Sequence, residues 1–241
     1  MSDPLFSVDG LTKRFGGLQA LNNVSFSVSS GEIVGLIGPN GAGKSTLFST
    51  LVGLHRPTCG TVMLDGHDVT SMKPHVIAER GMTKTFQNVS LFLESSVLDN
   101  VLIGGLVNDG VAAARANAMD CLSRVGLSAI AHRAAGDLSF PERARVEVAR
   151  ALCTRPRILL LDEVMAALNA DEMDEVIALV RGLRDDGLTV MIVEHHMRAI
   201  MSVCDRILVL NFGCLIADGA PSVIARHPDV VKAYLGREYA G

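Results

Sequence analysis

At 241 residues, 49% of them hydrophobic, the chain is long enough for one compact domain with a smaller lobe rather than two independent domains. A formal charge of −4 with no stripe of Lys or Arg argues against nucleic acid as a partner. Five cysteines without C-x-x-C spacing, no N-terminal signal pattern, and apolar runs far short of the ~20 residues that span a bilayer point to reduced cysteines, no disulfide or zinc framework and no membrane span.

In chain order, residues 5–28 alternate polar and apolar side chains around Phe15-Gly16-Gly17, as expected for antiparallel strands. A short apolar strand over 32–37 leads into Gly38-Pro39-Asn40-Gly41-Ala42-Gly43-Lys44-Ser45, which fills the phosphate-loop pattern G-x-x-x-x-G-K-[ST], and a helix is expected over 46–54. Residues 60–66 read as another strand closed by a turn. From 97 to 152 the pattern becomes helical, notably over 111–125 and 141–152, which suggests an inserted helical lobe. Strands are then expected at 157–162, 189–193 and 206–210, with helices at 171–185 and 196–204 between them. Two short helices split near Pro228 complete a tail over 221–235. The fold class is therefore α/β with a mostly parallel core sheet, and no internal repeat is present.

The strand–loop–helix context gives the P-loop its chemistry. Its glycines let successive backbone N–H groups converge on phosphate oxygens, and the following helix presents its positive end to the same anion. The expected nucleotide contacts run over Gly38, Pro39, Asn40, Gly41, Ala42, Gly43, Lys44, Ser45 and Thr46. Lys44 neutralises phosphate and is not expected to pack in the core, and Ser45 offers a hydroxyl to Mg²⁺. Further along, Ile158-Leu159-Leu160-Leu161-Asp162-Glu163 is an apolar strand ending in two carboxylates at the edge where parallel sheets collect ligands. It reads as a Walker B segment, with Asp162 toward Mg²⁺ and Glu163 as general base.

With these segments in this order, the chain resembles the ATPase subunit of an ATP-binding cassette (ABC) transporter over essentially its whole length. The resemblance implies a P-loop ABC-ATPase fold. It consists of an N-terminal antiparallel β-subdomain, a nucleotide-binding core over about 1–86 and 155–241, and a helical lobe over about 95–154. It also implies that Phe15 stacks on adenine, that Gln87 touches Mg²⁺ and reports on the permease, and that His195 contacts the γ-phosphate beside the catalytic Glu163. His196 stands where an Asp is usual and is read as a bystander.

Several stretches resemble more narrowly the ATPase subunits of branched-chain amino acid uptake systems. They are Lys13-Arg14-Phe15-Gly16-Gly17-Leu18, Thr85-Phe86-Gln87-Asn88-Val89-Ser90-Leu91-Phe92, Leu168-Asn169, Glu194-His195-His196-Met197 and Ala233-Tyr234-Leu235-Gly236-Arg237-Glu238-Tyr239. The implied role is hydrolysis of ATP with Mg²⁺ on the cytoplasmic face of the inner membrane. Transmembrane permease subunits and a second ATPase subunit are the implied partners, and a solute-binding protein is served indirectly. A low-turnover regulatory subunit and a soluble non-transport ABC ATPase are the alternatives.

The chain departs from the family at the signature loop, which is expected to reach a partner's ATP through Ser139. Here it reads Leu138-Ser139-Phe140-Pro141-Glu142, so Pro141 lacks the N–H that a glycine would offer and Glu142 brings a negative charge. Val164 replaces the usual proline after the catalytic glutamate, and Met165-Ala166-Ala167-Leu168-Asn169-Ala170 lacks the usual glycine. The last two departures bear on the dimer interface rather than on nucleotide binding, and the altered signature loop beside a complete P-loop predicts unequal sites in a heterodimer.

Overall fold

The computed structural model describes residues 4–85, 91–165 and 168–235. Strands β1 (Phe6–Phe15) and β2 (Leu18–Val28) form the expected hairpin, and β3 (Ile33–Ile37) leads through the P-loop into helix α1 (Lys44–Leu51). Next come β4 (Cys59–Leu64), β5 (His67–Asp68), α2 (Pro74–Glu79) and β6 (Met82–Lys84). Three helices follow, α3 (Val97–Gly105), α4 (Val111–Arg124) and α5 (Phe140–Cys153). The chain then returns to alternation with β7 (Ile158–Asp162), α6 (Ala170–Asp185), β8 (Thr189–Val193), α7 (Met197–Val203) and β9 (Arg206–Asn211). Strand β10 (Cys214–Gly219) and helices α8 (Pro221–Ile224) and α9 (Pro228–Leu235) end the described chain.

Two sheets result. One has the order β2-β1-β4-β5 and is antiparallel; the other has the order β10-β9-β3-β8-β7-β6, parallel except for the edge strand β10. The parallel sheet is apolar on both faces, which is why its strands read as unbroken hydrophobic runs. Along β7, Leu159 and Leu161 enter the core beneath the helical lobe, α6 and α7, while Ile158 and Leu160 enter a second core shared with the antiparallel sheet and α1. Strands β3 and β8 divide their side chains in the same way, Val190 and Ile192 to one side and Met191 and Val193 to the other. The P-loop and the end of β7 thus project from the same edge of a sheet clamped on both faces.

Some boundaries differ from the sequence reading. Helix α1 begins at Lys44 and stops at Leu51, earlier than the 46–54 expected, because Val52 leaves helical geometry and Gly53 turns the chain at φ 76°. The three-residue strand β6 and the six-residue helix α2 are too short to set up a periodicity, and β10, half-buried along most of its length, shows no buried–exposed alternation; none of the three was anticipated. Lys44 is also more deeply placed than expected: it is buried, with Nζ donating to the carbonyls of Gly38 and Pro39 at 2.7 and 3.2 Å.

Candidate functional site

A cleft of about 670 Å³ opens over the P-loop. Asn40 to Thr46 form its floor, Glu163 and His195 stand on one wall, and Leu18 to Ala20 of β2 with Phe212 and Gly213 form the other. The loop owes its shape to glycine. Gly43 caps α1 at φ 106°, and a Cβ there would lie 2.6 Å from the Ala20 carbonyl oxygen, so no other residue fits without moving β2. Having no side chain, Gly43 brings no capping group to the first turn of α1, whose N–H groups and positive dipole end face the cleft. The loop is also tied to both sheets, since Gly213 N–H donates to Ala42 O at 2.9 Å and Asn22 N–H donates to Gly213 O at 2.9 Å.

At the end of β7, Asp162 is buried and its two carboxylate oxygens differ. Oδ2 pairs with Lys84 Nζ at 3.1 Å, whereas Oδ1 has no hydrogen-bond partner among the described residues. A buried carboxylate oxygen left unsatisfied is what a hard divalent cation would use, and the exposed Ser45 hydroxyl on the cleft floor is the same kind of donor. Thr85 Oγ1 accepts from the Asp162 backbone N–H at 3.0 Å and fixes the strand end.

Glu163 follows at φ 54°, in the left-handed region that a residue with a Cβ adopts only when its surroundings enforce it. Its N–H donates to Val193 O at 3.0 Å, and its Oε1 lies 2.6 Å from His195 Nε2. Two residues distant in sequence are thereby brought into one hydrogen-bonded pair facing the P-loop. His196, by contrast, is the N-cap of α7 and does not line this cleft.

Other expected site residues lie elsewhere. Phe15 ends β1, exposed and edge-on to His55 at a centroid distance of 5.2 Å, with Lys13 Nζ 4.7 Å over its ring; it does not line the cleft. Gln87 lies outside the described residues. Ser139 is also away from the cleft, as the N-cap of α5. There Glu142 closes a capping box: its Oε2 accepts from both the N–H and the Oγ of Ser139, at 2.7 and 2.8 Å, and its own N–H donates to Ser139 Oγ at 3.4 Å. These bonds, the backbone one first, hold the Glu142 carboxyl below its ordinary pKa, and Arg133 adds to the effect.

Two contributors were missed by sequence reasoning. Lys84 is an unremarked cation on a three-residue strand, and only its parallel pairing beside β7 brings it to Asp162. Phe212 is a largely exposed aromatic at φ 46° in the turn before β10; a Phe-Gly step after an apolar strand was the available signal, a two-residue hairpin turn that puts a ring at the cleft.

The arrangement has close counterparts. A family model described as ABC transporter matches residues 21–166. The chain belongs to the ABC transporter family. A second model, described as branched-chain amino acid ATP-binding cassette transporter, matches 214–240 of the cassette. The cassette is 42% identical over 253 aligned positions to the high-affinity branched-chain amino acid transport ATP-binding proteins BraF of Pseudomonas aeruginosa and LivG of Escherichia coli, covering 98% of this chain and 99% of each relative. Among solved structures it is similar to the ADP conformation of MJ1267, an ATP-binding cassette of an ABC transporter, with a TM-score of 0.89, 29% identity and coverage of 98% of this chain and 100% of that one.

Proposed function

We propose that this cassette hydrolyses ATP to drive an importer of branched-chain amino acids or a closely related small solute. The observation that carries this reading is the single cleft in which the P-loop faces the Glu163–His195 pair. The full-length similarity to BraF and LivG and the match over 214–240 favour the solute class. No helix among the described residues is long and apolar enough to cross a membrane, in keeping with a peripheral subunit held on the cytoplasmic face by permease subunits.

In the proposed reaction the P-loop N–H groups and Lys44 hold the phosphates, and Glu163 accepts a proton from the attacking water. His195, bonded to Glu163, keeps that carboxylate aimed at the cleft and is assigned to contact the γ-phosphate. Ser45 and Asp162 Oδ1 would hold Mg²⁺, which supplies charge neutralisation at the phosphates, and Gln87 is assigned to the same ion. Phe15 is assigned to adenine stacking.

The signature face supports pairing with a different ATPase subunit. The Ser139 hydroxyl and N–H, the groups a partner's γ-phosphate would take, already serve the Glu142 carboxylate. A site capped by this loop binds nucleotide against a resident negative charge and turns over slowly, whereas the site formed by this chain's Lys44, Asp162 and Glu163 with an intact partner loop turns over fast. The test is uptake of radiolabelled leucine, isoleucine and valine by proteoliposomes holding the reconstituted complex, with and without internal ATP. ATP-dependent uptake is the expected result. Vigorous hydrolysis without uptake of these or related small solutes would overturn the solute assignment.

A further inference from the structure

We infer that Glu194 is a positioning residue for hydrolysis, holding the chain segment just after Glu163 so that the Glu163–His195 pair keeps its geometry. The inference rests on the reading of Glu163 as the catalytic base.

Three ties join residues 163–165 to residues 193–195 in succession. The Glu163 N–H donates to Val193 O at 3.0 Å, Glu194 Oε1 accepts from the Met165 N–H at 2.7 Å, and His195 Nε2 meets Glu163 Oε1 at 2.6 Å. The middle tie is the only one made by a buried charged side chain: Glu194 is 2% exposed and Met165 is fully buried. Its role follows from the strain at Glu163, whose φ of 54° persists only if the backbone is fixed on both sides. Val193 O fixes the near side and Glu194 fixes the far side. With the Glu194 acceptor removed, the buried Met165 N–H is left without its partner, and the segment regains satisfaction by relaxing toward ordinary backbone angles. That relaxation turns the Glu163 carboxylate away from His195.

The energetics argue against Glu194 as filler. Burial pushes its carboxyl up to about 7, and the neighbouring Glu163 and Asp162 charges push the same way, opposed by the backbone N–H groups of Met165 and His195. An apolar side chain of similar volume would avoid this cost but could accept neither N–H. The hydrogen-bond acceptor is the property the site uses.

The experiment measures kcat and KM for MgATP in the assembled transporter for Glu194→Ala, Glu194→Gln and Glu194→Asp, with Glu163→Gln as reference. Glu194→Ala is expected to lower kcat about 10-fold or more with KM for ATP within about twofold of wild type, since the P-loop is untouched. Glu194→Gln keeps a carbonyl at the right reach and is expected to restore most of kcat, while Glu194→Asp, charged but one methylene shorter, is not. This ranking holds the inference open to test even if the alanine variant folds poorly. Wild-type kcat in Glu194→Ala, or Asp outperforming Gln, would overturn it. An active Glu163→Gln would instead refute the base assignment, and an inactive one beside an active Glu194→Ala refutes the role of Glu194 alone.

Discussion

Helices α1 and α5 both present an N-terminus on a face assigned to nucleotide, and they are finished in opposite ways. Helix α1 is capped by Gly43, which has no side chain, so its first turn and dipole are open to an anion from outside. Helix α5 is capped by Ser139 and carries its own anion, the Glu142 carboxylate, bonded to both the N–H and the hydroxyl of the cap residue. Pro141, set within the first turn, is comfortable there because its missing N–H needs no helical partner. The contrast teaches that stability and ligand binding compete for the same few N–H groups: a helix end satisfied from within is a good start for a helix and a poor phosphate site.

The largest expected effect lies on the open face. Lys44→Ala should abolish measurable MgATP binding by calorimetric titration, and because Nζ also ties the Gly38 and Pro39 carbonyls, the variant should melt somewhat earlier than wild type. Unchanged ATP affinity would break the comparison at its root. Next, Glu163→Gln should lower hydrolysis by on the order of 10²-fold or more while ATP still binds and ATP-bound dimers accumulate, as read by single-turnover kinetics and size-exclusion chromatography. His195→Ala should cost about 10-fold or more in turnover and His196→Ala little; the reverse ranking would show that the Nε2 to Oε1 bond is not the functional one.

On the closed face, replacing Pro141 by Gly together with Glu142 by Gln should speed the site that this loop caps by about 10- to 100-fold, the equivalent of a charge-assisted hydrogen bond of roughly 1.5–3 kcal/mol. Steady-state ATPase of the complex, with each site silenced in turn by its Glu→Gln change, separates the two rates. Equal rates before the change, or no gain after it, would mean the capping box opens freely to phosphate. The smallest effect is structural: Glu142→Ala should destabilise the fold by about 0.5–1.5 kcal/mol through loss of the reach-back half of the capping box, the Ser139 hydroxyl still capping the helix. Because the Glu142 carboxyl is held below its ordinary pKa, the cap's contribution is present at neutral pH and lost as pH falls through that lowered value. Chemical denaturation at neutral and acid pH should therefore give a wild-type advantage over Glu142→Ala that shrinks on acidification.

What could be read from the residues alone was whatever is local. The P-loop is a contiguous pattern between a strand and a helix, and the β7 run ends visibly in Asp162 and Glu163. The signature loop announced its own departure through Pro141 and Glu142, although that Glu142 turns back onto Ser139 became clear only from the fold. Lys84 and Glu194 were silent because their partners, Asp162 and Met165, are set by strand order and by hydrogen bonds across the sheet edge rather than by spacing. Phe15 was chosen for its place in a motif, while Phe212, in a turn between short strands, was found only when that turn closed over the cleft. The edge strand β10 pairs by register with β9, a neighbour already in place, and its mostly half-buried residues carry no alternation that would mark it.

The turn before β10 also changes where intolerance to mutation should be sought. Gly213 bridges Ala42 of the P-loop and Asn22 of β2, and a Cβ on it would come within 2.7 Å of the Ala20 carbonyl oxygen, the atom that also excludes any side chain from Gly43. Two glycines from opposite ends of the chain are thus wedged against one oxygen. Substituting Gly213, far from any recognisable motif, would push on the same carbonyl and lever the phosphate loop from behind. In a family portrait drawn from motifs it is an anonymous turn residue; in three dimensions it is the back of the P-loop.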